Sequence, residues 1–312
     1  MSRAFVFPGQ GAQTIGMGRD LADSYPAARA VFDEVDEALG ENLSRLIWEG
    51  EAEALTLTAN AQPALMATSI AALRALGAEG ITVSDHAAYV AGHSLGEYSA
   101  LVAAGSLTLA DAARLLRIRG EAMQSAVPVG VGAMAALLGL GFEDARAVAE
   151  EAAQGEICQA ANDNDPGQVV VSGHKGAVDR ALVIAKERGA KRALLLPVSA
   201  PFHCDLMAPA ARAMAEALDD VEIADPIVPL VANVTADAVS DATTIRSLLV
   251  DQVTGSVRWR ESVGRLAELG VTEIWEIGAG KALSGMVKRI NREVETRAVG
   301  TAADVAAAKE AL

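Results

Sequence analysis

Gly92-His93-Ser94-Leu95-Gly96 is a G-x-S-x-G whose surroundings suit a nucleophilic serine. The apolar run Ala87–Ala91 before it reads as a buried strand. Glu97–Ala104 after it reads as a helix ended by Gly105. Strand, sharp turn and helix form a nucleophile elbow; without those flanks the five residues would be an ordinary Gly/Ser turn. The glycines allow a tight turn and close backbone approach. The helix would aim its first amides at an oxyanion formed beside the serine.

A serine of this kind needs a base, and the chain has four histidines. His93 belongs to the elbow and should point away from Ser94. His86 sits in a polar loop and His174 at a later turn. His203, in Ser199-Ala200-Pro201-Phe202-His203-Cys204, follows a strand end and is expected to open a helix. Sites gather at such carboxyl ends in open α/β sheets. The alternative for His203 is a helix-terminal histidine satisfied by backbone.

Arg119 is out of place in its helix. At about 100° per residue, Ala112, Leu115, Leu116, Ala122 and Met123 make an apolar stripe with Arg119 in its middle. Arg114, Arg117 and Glu121 take the opposite, solvated face. A guanidinium on a buried stripe keeps its proton and needs an anion. That anion is either a structural carboxylate or a ligand carboxylate gripped bidentately.

The elements that must position these groups follow a regular order. Ala4–Phe7 reads as a first strand, closed by Pro8-Gly9-Gln10-Gly11-Ala12-Gln13. That turn fails the dinucleotide pattern, because Thr14 stands where G-x-G-x-x-G needs glycine. A turn with free amides near another site fits better. Helices are expected at Val31–Leu39, at Ala64–Leu76 (entered through Asn60–Pro63) and from Thr108 to about Ala126. After a Pro/Gly hinge at Val127–Gly132 come strand Ala133–Leu138, helix Glu143–Ala153 and strands Ile157–Ala161 and Gln168–Ser172. Helix Ala177–Arg188 and strand Arg192–Val198 complete a βαββαβ order, the ferredoxin-like split motif, inserted in a larger α/β domain. That domain resumes with helix His203–Leu218, strand Ile227–Ala232, helices Thr243–Val253 and Trp259–Leu269, and strand Thr272–Ile277. A helix to about Ile290, a strand near Glu295–Val299 and a surface helix finish it. The division is a large unit of 1–127 and 199–312 around a small one of 128–198.

Composition agrees. Hydrophobic residues make up 51% and aromatics 4% of 312 residues, an Ala/Val/Leu core suited to helices on a parallel sheet. A net charge of −15 argues against nucleic-acid or anionic-membrane binding. Two cysteines, Cys158 and Cys204, make no disulfide framework. With no signal segment and no membrane-length apolar run, the expected location is the cytoplasm.

The chain resembles the malonyl-CoA:acyl carrier protein transacylases, the acyltransferases of fatty-acid synthesis, over nearly its whole length. The resemblance rests on Phe7–Gln13, Gly92–Tyr98, Arg117-Ile118-Arg119-Gly120 with Met123-Gln124, and Asn162 before Pro166–Val170. It continues in Pro201-Phe202-His203, Asn233-Val234, Gln252 and Glu276–Lys281. It implies an α/β fold: a hydrolase-like three-layer domain with a parallel sheet and an inserted ferredoxin-like subdomain.

By position, the resemblance implies a Ser94–His203 dyad, with the histidine oriented by backbone carbonyls near Gln252 and no third carboxylate. The Gln10 and Leu95 amides would form the oxyanion hole. Arg119 would bind the malonyl carboxylate, Asn162 and Gln252 would line the pocket, and Phe202 matches the malonyl-selecting form of its motif. The inserted domain would close over Ser94. The implied partners are malonyl-CoA and acyl carrier protein, and neither metal nor other cofactor is required. A separate chain with its own initiator Met suggests a free-standing enzyme. The competing reading is a serine ester or thioester hydrolase, which wants its histidine near the chain end and leaves Arg119 unexplained. A carrier-docking module without chemistry would be expected to have lost Ser94 or His203. Because both proposed substrates are acidic, Lys186, Arg188, Lys191, Arg192 and Lys281 are candidates for a basic patch near the pocket.

Overall fold

The computed structural model describes residues 2–198 and 200–312. Met1 and Ser199, the first residue of the expected return to the large unit, lie outside the described residues.

Among the described residues, ten strands form two sheets: β1 (Arg3–Phe7), β2 (Tyr89–Gly92), β3 (Gly132–Leu138), β4 (Cys158–Asp165), β5 (Gln168–His174), β6 (Arg192–Leu195), β7 (Leu230–Val231), β8 (Ala238–Val239), β9 (Glu273–Ile277) and β10 (Glu295–Val299). The larger sheet runs β10-β9-β1-β2-β7-β8, parallel except for the β7–β8 hairpin. Side chains alternate across it. Phe5 and Phe7 of β1 enter one helical layer, while Ala4 and Val6 enter the other with Trp259 and Ile274. The fold is therefore a three-layer α/β domain with a central parallel sheet.

The smaller sheet runs β4-β5-β3-β6, wholly antiparallel. Helices Phe142–Ala153 and Lys175–Glu187 cover it around a core of their own. We propose 128–198 as the small unit on this basis. Among the described residues, no helix is long and apolar enough to cross a membrane.

Several boundaries differ from expectation, each for a physical reason. The helix expected at Ala64 begins at Thr58 and runs to Ala78 with Pro63 inside. Pro63 has no N–H for the Ala59 carbonyl, and Nη1 of Arg117 donates to that oxygen instead at 2.6 Å. Arg117 is thus half-buried rather than solvated. The strand expected at Ile227–Ala232 shortens to Leu230–Val231 because the chain turns back into β8. β4 extends four residues past Ala161, to Asp165, because the large unit receives it. Asp163 N–H donates to Val257 O and Val257 N–H to Ala161 O, each at 2.9 Å. His203 does not open a helix: it has φ 57, and a 3₁₀ turn at Asp205–Met207 precedes the helix Ala208–Asp219.

Candidate active site

Ser94 sits between β2 and the helix Gly96–Ala103 with φ 53, a left-handed angle uncommon for a residue with a Cβ. The flanking glycines make this turn possible. A Cβ on Gly92 would stand 1.9 Å from the Gly96 carbonyl carbon, and one on Gly96 would stand 2.3 Å from Phe7 O. His93 N–H also donates to Phe7 O at 3.0 Å, bringing the turn after β1 beside the elbow. Gln10 therefore lines the same cavity as Ser94, Leu95, Arg119, Asn162, Phe202 and His203, a space of ≈ 410 Å³.

Oγ of Ser94 lies 2.7 Å from Nε2 of His203, while Nδ1 of His203 lies 2.9 Å from the Gln252 carbonyl. A carbonyl only accepts, so the ring proton is on Nδ1 and Nε2 is free to accept from the serine. Burial, helped by the positive charge of Arg119, pushes the imidazole pKa down to about 3. Histidine is therefore neutral near pH 7, the form a base must have. The other histidines are engaged elsewhere. Nδ1 of His86 accepts from Thr82 N–H and Nδ1 of His174 from Ile157 N–H. Nε2 of His93 lies 2.8 Å from Oδ1 of Asn164.

Arg119 is 1% exposed. Its Nη1 donates to Oε1 of Gln62 at 2.7 Å, and its Nη2 to Oε1 of Gln252 at 2.8 Å and Oγ of Ser94 at 3.2 Å. These partners are two amide oxygens and a hydroxyl; no carboxylate among the described residues pairs with it. The structural-carboxylate alternative thus lacks its carboxylate, and the buried cation lines the same cavity as Ser94.

Behind Arg119 stands Glu97. Its Oε2 accepts from Asn233 N–H and from Nε2 of Gln252, both at 3.0 Å. Burial pushes its carboxyl up to about 7, against the opposing effects of those bonds and of Arg119. Asn233 holds the elbow itself: its Oδ1 accepts Ser94 N–H at 2.8 Å and its Nδ2 donates to Gly92 O at 2.6 Å.

The Gln10 and Leu95 amides have no protein acceptor among the described residues, as an oxyanion hole requires. Asn162 and Phe202 line the cavity beside Met123 and Met134, whereas Gln252, expected to line it too, is fully buried behind Arg119. Of the five basic residues, none lines the cavity. Lys191 and Arg192 sit at the far end of β6, where Arg192 pairs with Leu138 and Lys191 N–H reaches Leu138 O. The cavity-lining Leu196 is five residues on, roughly 16 Å at 3.3 Å per residue. Arg188 is occupied by Glu151. A Cβ on Gly280, the residue before Lys281, would stand 3.6 Å from Cβ of Ala12 in the Gln10 turn.

Sequence reasoning gave no role to Gln62, Glu97, Asn164 or Asn233. For Glu97 a signal existed: it is the single charged residue of the helix Gly96–Ala103.

The family model for the acyl transferase domain matches residues 4–306. The chain is 52% identical over 297 residues to a malonyl CoA-acyl carrier protein transacylase of Bacillus subtilis (strain 168), covering 95% of this chain and 92% of that relative. It is 47% identical over 307 residues to the protein of the same name from Escherichia coli (strain K12), covering 98% of both. The solved acyl-carrier-protein-S-malonyltransferase of Bartonella henselae superposes with a TM-score of 0.97 at 55% identity, covering 100% of this chain and 99% of that one. A malonyl-transacylase in complex with a type II PKS acyl-carrier protein superposes with a TM-score of 0.97 at 44% identity, covering 100% of both.

Proposed function

The chain belongs to the acyl transferase domain family, and we propose that it moves a malonyl group from malonyl-CoA to the phosphopantetheine thiol of an acyl carrier protein through a malonyl-Ser94 intermediate. The observation that carries the reading is the buried Arg119 guanidinium, without a carboxylate partner, 3.2 Å from Oγ of Ser94. The names and matches of the relatives support it.

In the first half-reaction, Oγ of Ser94 attacks the thioester carbonyl while Nε2 of His203 takes its proton. The oxyanion sits between the Gln10 and Leu95 amides, and Arg119 holds the free carboxylate of the acyl group. Collapse breaks the C–S bond, and the imidazolium gives its proton to the departing coenzyme A sulfur. In the second half, His203 takes the proton of the carrier thiol, the thiolate attacks malonyl-Ser94, and collapse returns the proton to Ser94. Asn162 and Phe202 shape the acyl chamber, and Gln252 holds both His203 and Arg119. The step as written calls on no cofactor besides the two substrates. The small unit, whose β4 carries Asn162, forms one wall over Ser94.

The carrier arm would enter past Thr56, Pro197 and Val198, which line both the main cavity and an adjoining one of ≈ 330 Å³. The net charge of −15 supports a protein that works without nucleic acid or membrane. Its location would be the cytoplasm, in keeping with two free, buried cysteines.

The test is intact-protein mass after brief mixing with malonyl-CoA, beside acetyl-CoA and a Ser94→Ala control. The reading expects one malonyl adduct, absent in Ser94→Ala and discharged by acyl carrier protein. Rapid free malonate without carrier would make the protein a hydrolase. Equal labelling by acetyl-CoA would remove the assignment of Arg119.

A further inference from the structure

We propose that Glu97 is a positioning residue that fixes the direction of the Gln252 side-chain amide, and through it the guanidinium of Arg119, so that selection for carboxylate-bearing acyl groups depends on it. The inference rests on the proposed malonyl transfer and adds a residue that the chemistry itself does not use.

The argument starts from the amide. A glutamine side chain has an acceptor and a donor end of nearly the same shape, and only its neighbours decide which way it points. At Gln252 one end faces Arg119, which can only donate, so that end must be the oxygen, as its 2.8 Å contact requires. The other end, Nε2, has two hydrogens and finds two close acceptors: Ser94 O and Oε2 of Glu97, each at 3.0 Å. Glu97 is the only one of these that is a side chain, and it is buried at 1% exposure. Without it, one hydrogen of a buried amide loses its 3.0 Å partner, keeping only a 3.4 Å contact to Oδ1 of Asn233. The flipped amide, which would turn an NH₂ toward the guanidinium, then becomes competitive.

Other parts of the site depend on it less. His203 is held by the backbone carbonyl of Gln252, not by its side chain. Asn233 N–H also donates to Oε2 of Glu97 at 3.0 Å, but the Asn233 side chain is pinned separately at Gly92 O and Ser94 N–H. The loss of Glu97 therefore falls first on Gln252 and Arg119. Because the requirement is an accepting oxygen in this place rather than a charge, glutamine should meet it.

The experiment compares wild type, Glu97→Gln and Glu97→Met by single-turnover labelling of Ser94 with malonyl-CoA and acetyl-CoA over a concentration series. Thermal unfolding establishes that each variant is folded, and Glu97→Asp replaces Glu97→Met if the latter is not. In Glu97→Met the malonyl-to-acetyl ratio of second-order labelling constants is expected to fall at least tenfold, mostly through a raised half-saturating malonyl-CoA concentration. Glu97→Gln should keep the ratio within about threefold. If Glu97→Met loses both labelling rates by one common factor, Glu97 is merely structural and the proposal is overturned. It is equally overturned if Glu97→Gln behaves as Glu97→Met. A wild type that takes acetyl as readily as malonyl is a separate result, and it overturns the malonyl reading itself along with the inference.

Discussion

Ser94 and His203 meet at 2.7 Å from two backbones that each hold a left-handed angle, φ 53 and φ 57. Neither is glycine, so both positions carry local strain of about 1–3 kcal/mol. The surrounding bonds sustain them: Asn233 grips the elbow on both sides of Ser94, and the Gln252 carbonyl fixes the imidazole.

The first prediction concerns the base. With its pKa pushed down to about 3 by burial and by the charge of Arg119, His203 stays neutral at any pH well above that value. Acylation of Ser94 at saturating malonyl-CoA should therefore change less than about threefold between roughly pH 8 and pH 5.5. Rapid-quench mass spectrometry would read it. An acid limb centred near the ordinary imidazole value of 6.5 would show that the site titrates like exposed histidine. His203→Gln should slow the same step by about 10²–10⁴.

Removing the guanidinium should change what is transferred more than whether transfer occurs. In Arg119→Ala, the preference for malonyl over acetyl labelling is expected to fall by about two to four decades. This corresponds to about 3–5 kcal/mol for a carboxylate facing a buried site without its cation. A preference left intact would mean that the acyl carboxylate is bound elsewhere.

Glu97 should leave a pH signature in stability. Its carboxyl is raised from 4.5 to about 7 in the folded chain by burial. The unfolded chain thus releases this proton at lower pH than the folded one. The stability contributed is full below about 4.5 and is lost as pH rises through about 7, a change on the order of 3 kcal/mol. Glu97→Gln does not titrate, so its melting temperature relative to wild type should climb across that window and then level off. A difference that stays constant from pH 4.5 to 8 would sink the assignment.

The strap between the two units offers a fourth prediction. Asp163 of β4 has a side chain only 1% exposed and pairs with Arg260, whose Nε reaches both carboxylate oxygens at 3.1 and 2.9 Å. Arg260→Ala leaves that carboxylate buried and unpaired. Because the Arg260 side chain is 35% exposed, water can partly replace it, and the expected loss is about 2 kcal/mol rather than the full cost of a sealed pair. Urea unfolding would measure it, and adding Asp163→Asn should restore part of it. A loss of only a few tenths would place the hold of β4 in its backbone bonds to Val257.

What the sequence determined by itself was whatever short-range order can encode. The elbow was legible because strand, glycines and helix lie within one continuous stretch. The small sheet was legible from its element order, and Arg119 from helical spacing alone. The third dimension decided which groups those residues meet. Arg119 and Gln252 are 133 positions apart, and Gln252 and Glu97 155; periodicity carries no record of such pairs. Whether a buried arginine faces a carboxylate or an amide oxygen depends on which elements pack behind it. The same holds for β4, whose last residues become strand because Val257 is there to receive them. It holds also for Arg117, drawn from the solvent face by the carbonyl that Pro63 leaves open, and for Lys191 and Arg192, whose distance from the cavity follows from the register of β6 on β3. Local spacing fixes which face of an element is buried; the partners on that face are chosen only when the chain has closed on itself.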